Sequence, residues 1–165
     1  MIESSHETYM QMAIEEARTA FEAGEVPAGC VIVRRSGNED FTSETVIGRG
    51  YNQVEQLKDP TAHAEMIAIT QAAETTGDWR LTGTTLYVTK EPCAMCAGAV
   101  ILARIQTVVF GTPDPKRGGA VSTLNILQNP NLNHSCEVIP GVLEEDCREM
   151  LKEFFRLCRE RNNTG

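Results

Sequence analysis

No stretch of the sequence approaches the roughly 20 consecutive apolar residues that a membrane-spanning helix requires. The N-terminus is acidic and lacks the positively charged start and apolar segment of a secretory signal peptide. The chain also lacks internal repeats, low-complexity tracts and Pro-, Gly- or Ser-rich linkers that would separate domains. These absences exclude a membrane span and predict a single cytoplasmic domain over residues 1–165.

Basic residues are also scarce, since 15 Lys and Arg stand against 23 Asp and Glu and the formal net charge is -8. This balance excludes a protein that binds nucleic acid over its whole surface, because such a surface would be basic. The charges are unevenly distributed, however, and residues 80–117 and 150–161 each carry more basic than acidic side chains. The distribution predicts a basic patch on an otherwise acidic body.

Cysteine is too sparse for a disulfide framework, with six residues in the whole chain. Only Cys93 and Cys96 are close enough together to form a motif. The other four are interpreted as small buried apolar residues, as free cysteines usually are: Cys30, Cys136, Cys147 and Cys158.

The alternation of helical and extended patterns predicts an α/β fold with helices layered on a sheet of about five strands. Helices are predicted from Ser4 or Ser5 to Ala23, Asp59 to Gly77, Pro92 or Cys93 to Arg104, Ser122 to Leu127, and Glu144 to Arg161. Strands are predicted over Val26–Val33, Thr45–Tyr51, Thr84–Thr89, Thr107–Phe110 and Cys136–Ile139. The polar stretch between the first two strands is interpreted as a long hairpin connection.

Two short motifs, TAHAE at residues 61–65 and KEPCAMC at residues 90–96, each place potential metal ligands near the start of a predicted helix. The N-terminus of a helix favours negative charge, so Cys93 and Cys96 are expected to be thiolates. Residues three apart share a helix face, so one zinc ion can bind both sulfurs. His63 would supply a third ligand from the other helix.

Three protein ligands leave one tetrahedral position for water, which is the arrangement of a catalytic rather than a structural zinc. Glu65 follows His63 by two residues and so does not stack beside it on one helix face. We therefore interpret Glu65 as a proton shuttle rather than a fourth ligand.

Two other interpretations of the cysteine pair remain open on spacing alone. A C-x-x-C motif after a strand is typical of thioredoxin-like redox proteins. A structural zinc site would need a fourth ligand, for which Cys30, Cys136 and His134 are available, although none lies at motif spacing.

The paired signature, H-x-E followed by P-C-x-x-C, resembles that of zinc nucleobase deaminases, and the wider sequence resembles the bacterial tRNA adenosine deaminase family. The resemblance extends from about Thr8 to Arg161. The segments that carry it are VPAG (26–29), GYN (50–52), DPTAHAE (59–65), LYVT (86–89), EPCAMCAGA (91–99) and FFR (154–156).

The resemblance implies a three-layer α/β/α, cytidine-deaminase-like fold with a mixed sheet, one zinc ion per chain and a homodimer. It also implies conversion of the wobble adenosine in an arginine tRNA anticodon to inosine. By position, zinc ligands would be His63, Cys93 and Cys96, the proton shuttle Glu65, and the substrate contacts Asn52, Val26, Ala64 and Asp114. Asp114 matches a position near the nucleotide beside the target.

The sequence departs from this family in two places. The connection over residues 34–45 is longer than is usual there, and Pro113 and Pro115 flank Asp114 in the predicted substrate loop. The alternative enzyme is a deaminase of a free nucleobase or nucleoside, such as guanine or cytosine, with the same zinc site. The alternative outside enzymes is a zinc-stabilised or redox module.

Overall fold

The computed structural model describes the backbone of residues 2–165 and the side chains of residues 5–165. The helices are α1 (Ile2–Glu22), α2 (Val54–Leu57), α3 (Ala64–Thr76), α4 (Ala94–Leu102) and α5 (Glu144–Thr164). The strands are β1 (Gly29–Gly37), β2 (Thr42–Tyr51), β3 (Thr84–Lys90), β4 (Thr107–Thr112) and β5 (Glu137–Ile139). In the part of the chain so described, no helix is both long and apolar enough to cross a membrane.

The five strands form one mixed sheet in the order β2-β1-β3-β4-β5. Strand β1 pairs antiparallel with β2 and β3, whereas β3, β4 and β5 run parallel to one another. Helices α1 and α5 cover one face of the sheet, and α3 and α4 cover the other. The predicted three-layer α/β/α architecture with a mixed sheet is confirmed.

The core is divided by the alternation of side chains along the central strands. On β1, Val31 and Val33 are packed with α1 and α5, whereas Ile32 is packed with α3 and α4. On β3, Tyr87 faces α1 and α5, and Leu86 faces the opposite layer. Because the central strands are buried on both faces, they read as nearly continuous apolar runs in the sequence.

The close approach of α1 to β1 depends on Gly29. A Cβ atom there would collide with the carbonyl oxygen of Ala13 and the backbone nitrogen of Ala17. We expect Gly29→Ala to lower the free energy of unfolding by about 1–3 kcal/mol or more, because an overpacked helix must shift. Thermal denaturation measures the change.

The matched control is Gly98→Ala, within α4. Apart from its chain neighbours and the adjacent backbone of α4, no atom of the described residues lies within 4 Å of a Cβ at Gly98. Alanine is therefore expected to raise stability by about 0.5–1 kcal/mol through its better helix propensity. Equal melting temperatures for the two variants would contradict the packing argument.

The connection predicted between the first two strands is shorter than expected, because both strands continue into it. Ser36 pairs with Ser43, and Arg35 forms a 2.8 Å ion pair with Glu44, so polar cross-strand contacts extend the ribbon beyond the apolar core. Only residues 38–41 remain as the turn. Strand β1 also begins at Gly29 rather than at the predicted Val26.

Some predicted helix boundaries are wrong. Asp59 does not begin a helix, because its carboxylate accepts hydrogen bonds from the backbone N–H and hydroxyl of Thr61 in a turn, and α3 begins at Ala64. The segment from Ser122 to Leu127 contains turns instead of the predicted helix. At the N-terminus, α1 begins before the predicted caps, and the side chain of Ser4 lies outside the described residues.

Candidate active site

A cavity of about 730 Å³ lies where the C-terminal end of β3 meets the first turns of α3 and α4. This is the edge at which parallel strands of an α/β sheet usually present ligand-binding groups. Every residue that the sequence suggested as a catalytic or substrate contact lines it: Val26, Asn52, Ala64, Glu65 and Asp114. Two of the suggested metal ligands, His63 and Cys93, line it as well.

The third suggested ligand, Cys96, is buried beside the same cavity, and the ligand atoms of His63, Cys93 and Cys96 lie within 4.8 Å of one another. His63 Nδ1 is 3.5 Å from Cys93 Sγ and 3.4 Å from Cys96 Sγ. Tetrahedral zinc, with bonds of about 2.3 Å to sulfur and 2.0–2.1 Å to nitrogen, separates such atoms by about 3.5 Å. These three residues therefore fit a zinc ion.

Local backbone geometry explains how the ligands meet. His63 and Cys93 occupy the N-cap positions of α3 and α4, both with extended backbone, and Cys96 lies in the first turn of α4. Neither N-cap side chain makes a capping hydrogen bond, and the ligand atoms of both lie at the shared site. The predicted placement at two helix starts is thus observed, with His63 just before α3 rather than within it.

The thiols of Cys93 and Cys96 have pKa values shifted in opposite directions. The Cys96 thiol and the His63 imidazole lower the pKa of Cys93 to about 3, although partial burial opposes the shift. The Cys93 sulfur and burial raise the pKa of Cys96. A cation bound between the sulfurs would replace the proton of the Cys96 thiol, as expected of a thiolate metal site.

Glu65 is only 6% exposed and lies in the first turn of α3. Burial raises its pKa, and the nearby Cys93 sulfur adds to the shift. A raised pKa makes a carboxyl group a better proton acceptor than an ordinary glutamate, as a proton shuttle requires.

Asn52 lines the cavity and carries an unsatisfied acceptor. Its Nδ2 donates to the carbonyl oxygen of Val26 at 3.3 Å, whereas its buried Oδ1 has no hydrogen-bond partner in the described part of the chain. Buried polar atoms usually have partners, so the Oδ1 is placed to accept a hydrogen bond from a ligand. Ala64, fully buried, forms part of the cavity wall next to Glu65.

Asp114 lines the cavity but is engaged within the protein. Its Oδ1 accepts the backbone N–H groups of Lys116 and Arg117, each at 3.1 Å, and its Oδ2 lies 3.0 Å from Lys90 Nζ. Burial acts to raise the pKa of Asp114, but the Lys90 ammonium and these N–H groups lower it overall. Asp114 is therefore an ionised group that shapes its own loop.

Sequence reasoning missed Glu91, which holds that loop. Its carboxylate accepts the backbone N–H groups of Asp114, Ala120, Val121 and Ser122 at 2.9–3.2 Å, together with the Ser122 hydroxyl. Burial opposes these donors, but they lower the pKa of Glu91. We call this arrangement, Glu91 with residues 114–122, the Glu91 clasp.

The clasp also contacts the metal-ligand segment through the backbone. Gly119 N–H donates to Pro92 O at 2.7 Å, and Cys93 pairs with Gly118 in an isolated β-bridge. A Cβ on Gly118 would collide with the Glu91 carboxylate. The same short segment therefore positions both a cysteine ligand and the loop that carries Asp114.

Glu25, also missed from the sequence, plays a comparable role on the other wall. It is 1% exposed, and its carboxylate accepts the backbone N–H groups of Glu55 and Gln56 at 3.1 and 2.6 Å. No sequence motif marks this contact, because its partners are backbone groups on α2, a helix the sequence did not predict.

The other proposed zinc ligands lie elsewhere. His134 donates to Ile105 O at 2.7 Å, and Cys136 contacts the same oxygen. Cys30 is buried within the apolar core. Among the described residues, no fourth His, Cys, Asp or Glu joins the cluster of His63, Cys93 and Cys96. This absence disfavours a structural zinc, which needs four protein ligands.

The basic residues of segment 80–117 do not all lie at the cavity. Lys90 and Arg117 line the cavity. Arg80 instead pairs with Asp78 before β3, and Arg104 binds Ile101 O before β4, so both lie at the other end of these strands.

Comparison with known proteins gives first the class and then the family of this chain. A family model for MafB19-like deaminases matches residues 4–159, and with the observed fold and His/Cys/Cys site this makes the chain a deaminase of the cytidine-deaminase-like fold. The chain is 48% identical to the tRNA-specific adenosine deaminase of Bacillus subtilis (strain 168), over 96% of this chain and 94% of that one. The chain belongs to the tRNA-specific adenosine deaminase family.

The chain is also similar to solved structures of deaminases. One, from a study of A-to-I editing by tRNA:A34 deaminases at the wobble position of transfer RNA, is 40% identical with a TM-score of 0.79. It covers 87% of this chain and 99% of its own. A guanine deaminase from Bacillus subtilis is 37% identical with a TM-score of 0.58, covering 66% of this chain and 64% of its own.

Proposed function

We propose that the protein catalyses the zinc-dependent hydrolytic deamination of adenosine to inosine at the wobble position of a tRNA anticodon, with arginine tRNA as the substrate. The observation that carries the proposal is the tetrahedral spacing of His63 Nδ1 from two cysteine sulfurs, beside the buried Glu65. The names of its relatives support tRNA as substrate.

His63, Cys93 and Cys96 would hold one zinc ion per chain. When bound, the ion supplies a Lewis acid that lowers the pKa of a water molecule toward neutrality. Hydrolysis adds water to C6 of adenine, and Glu65 would take one proton from the attacking water and deliver it to N1. Glu65 would then carry the second proton, from the new C6 hydroxyl, to the amino nitrogen, which leaves as ammonia when the C6–N bond breaks. The raised pKa of Glu65 suits this exchange.

The remaining cavity residues would position the base. Asn52 hydrogen-bonds the purine through its unsatisfied Oδ1, and Val26 and Ala64 form the walls against which the ring lies. Asp114 holds the loop beside the neighbouring nucleotide. An anticodon loop is already single-stranded, so turning its base into the cavity costs less than flipping a base from a duplex.

Removal of the metal is expected to abolish activity. Incubation with a chelator should reduce deamination to background, because the water would regain its ordinary acidity, and added Zn²⁺ should restore the rate. The control is the same chelator saturated with zinc beforehand. Full deamination activity in metal-free protein, verified by elemental analysis, would contradict the zinc assignment.

The substrate is tested by measuring inosine in an arginine tRNA anticodon stem–loop, in parallel with free adenosine, guanine and cytidine. We expect turnover of the stem–loop adenosine. The second candidate, a deaminase of a free base, is favoured by the likeness to the Bacillus subtilis guanine deaminase. Turnover of a free base with none of the RNA would reject our proposal in its favour.

The family resemblance also supports a homodimer in the cytoplasm as part of this proposal. Light scattering of the purified chain should then give the molecular mass of two chains.

A further inference from the structure

Three of the acidic groups that line the cavity accept hydrogen bonds from donors within the protein. Glu25 accepts two backbone N–H groups, and the Glu91 carboxylate is occupied by the clasp. Asp114 uses one oxygen for backbone N–H groups and the other for Lys90. A negatively charged substrate therefore meets less repulsion from these three carboxylates than their number suggests.

Lys90 differs from those carboxylates because it is a cation whose side chain remains partly exposed at the cavity. It ends β3, where it pairs in register with Thr112, and its side chain is 30% exposed while that of Asp114 is 12% exposed. An ammonium group has three donors, and the ion pair with Asp114 occupies one side of it. Lys90 therefore has donors left for a ligand in the cavity that it lines.

We propose that Lys90 binds a phosphodiester oxygen next to the target nucleoside and so favours a nucleotide within an RNA chain over a free nucleoside. The inference rests on the proposed function. A compact ammonium binds phosphate as a point charge. A free base or nucleoside has no anionic oxygen to offer it, whereas each linkage of an RNA loop does.

Asp114 opposes this role while it shapes the loop. Its carboxylate holds the Lys90 ammonium at 3.0 Å and competes with an incoming phosphate for the same charge. Replacing the Asp114 carboxylate by a neutral group should therefore strengthen RNA binding. Removing the Lys90 ammonium should weaken RNA binding. Opposite effects from two partners of one ion pair would not arise if Lys90 served only to fix Asp114.

The first test is Lys90→Met, which preserves length and removes the charge. For the anticodon stem–loop we expect KM to rise about tenfold with kcat nearly unchanged, and the slope of log KM against log salt concentration to fall by about 0.7. Lys90→Arg, which keeps the positive charge, should have a KM and a salt slope close to those of the wild type. An unchanged salt slope in Lys90→Met would overturn the phosphate contact.

The matched control is Arg35→Met, which also removes a paired cation but lies on the ribbon remote from the cavity. It should leave KM and the salt slope as in the wild type. A similar loss in both variants would mean that net charge, rather than a contact by Lys90, governs RNA binding, and would overturn the proposal.

The second test is Asp114→Asn, whose amide oxygen still accepts the N–H groups of Lys116 and Arg117. We expect a lower KM for the stem–loop and a steeper salt slope. A higher KM, matching Lys90→Met, would overturn the proposal and assign Lys90 a purely positioning role. Melting temperature and zinc content identify any variant that fails to fold.

The wild type separates this inference from the function on which it rests. Wild-type turnover of a free base without turnover of the stem–loop would overturn both. Wild-type turnover of the stem–loop, with Lys90→Met indistinguishable from it, would overturn the Lys90 assignment alone.

Discussion

Glu65→Ala is expected to retain about one zinc ion per chain and to lose deamination by about 10²–10⁴-fold. The three suggested ligands remain, so metal binding should persist. The other buried carboxylates of the cavity already accept hydrogen bonds within the protein, so they are not expected to replace Glu65 in proton transfer. Inosine formation measured beside zinc content by elemental analysis tests both halves of the prediction.

The matched control is Glu74→Ala, an exposed acidic residue later on the same helix. It should leave both rate and zinc content unchanged. Undiminished turnover by Glu65→Ala would remove Glu65 from the mechanism, and loss of zinc in that variant would make it a metal ligand instead.

Glu91→Ala is expected to cause the largest loss of stability among the polar substitutions. The variant leaves several N–H groups of residues 114–122 without their acceptor, and each buried unsatisfied donor costs about 1–3 kcal/mol. In a chain of this size each kcal/mol lowers the melting temperature by about 2–4 °C. Thermal denaturation measures the loss, and hydrogen exchange should show that it begins in residues 114–122.

The control for the clasp is Glu153→Ala, which breaks an exposed i,i+3 ion pair with Arg156. Fully exposed ion pairs contribute little to stability, so the melting temperature should scarcely change. If Glu91→Ala were no more destabilising than Glu153→Ala, the Glu91 hydrogen bonds would not hold the loop.

The contribution of Glu91 should depend on pH in a defined direction. Its pKa in the folded protein lies below the ordinary value, against the effect of burial, because the Ser122 hydroxyl and several N–H groups favour the carboxylate. The stabilisation is therefore complete above the ordinary pKa of a glutamic acid and is lost as the pH falls through the lowered folded value. The difference in unfolding free energy between wild type and Glu91→Gln should shrink over that acidic range. A difference that stayed constant would contradict the assignment.

The metal cluster could be predicted from the sequence because its residues form two short motifs. His63 and Glu65 are two residues apart, Cys93 and Cys96 are three apart, and each pair lies at a helix start where few geometries are available. The layered fold was accessible for a related reason, since the apolar runs of the buried strands have one simple explanation.

Other features depend on partners that no local pattern reveals. Glu91 binds backbone groups up to 31 residues away, and any residue type could supply those N–H groups. Asp59 followed by proline favoured a helix start, but its carboxylate finds Thr61 in a turn instead. Polar residues in the β1–β2 ribbon are stabilised across the strands, a pairing that hydrophobic alternation does not indicate.

The turn of the β1–β2 ribbon is a suitable place to attach a label or insert a peptide. Its turn at residues 38–41 is exposed, and the Asn38 side chain closes the turn by accepting the N–H groups of Asp40 and Phe41. At about 3.3 Å per residue, the nine residues of β1 carry that turn roughly 26 Å from the cavity end of the strand. A fluorescent label or a fused peptide inserted there would report on RNA capture from a distance, with the cavity left intact.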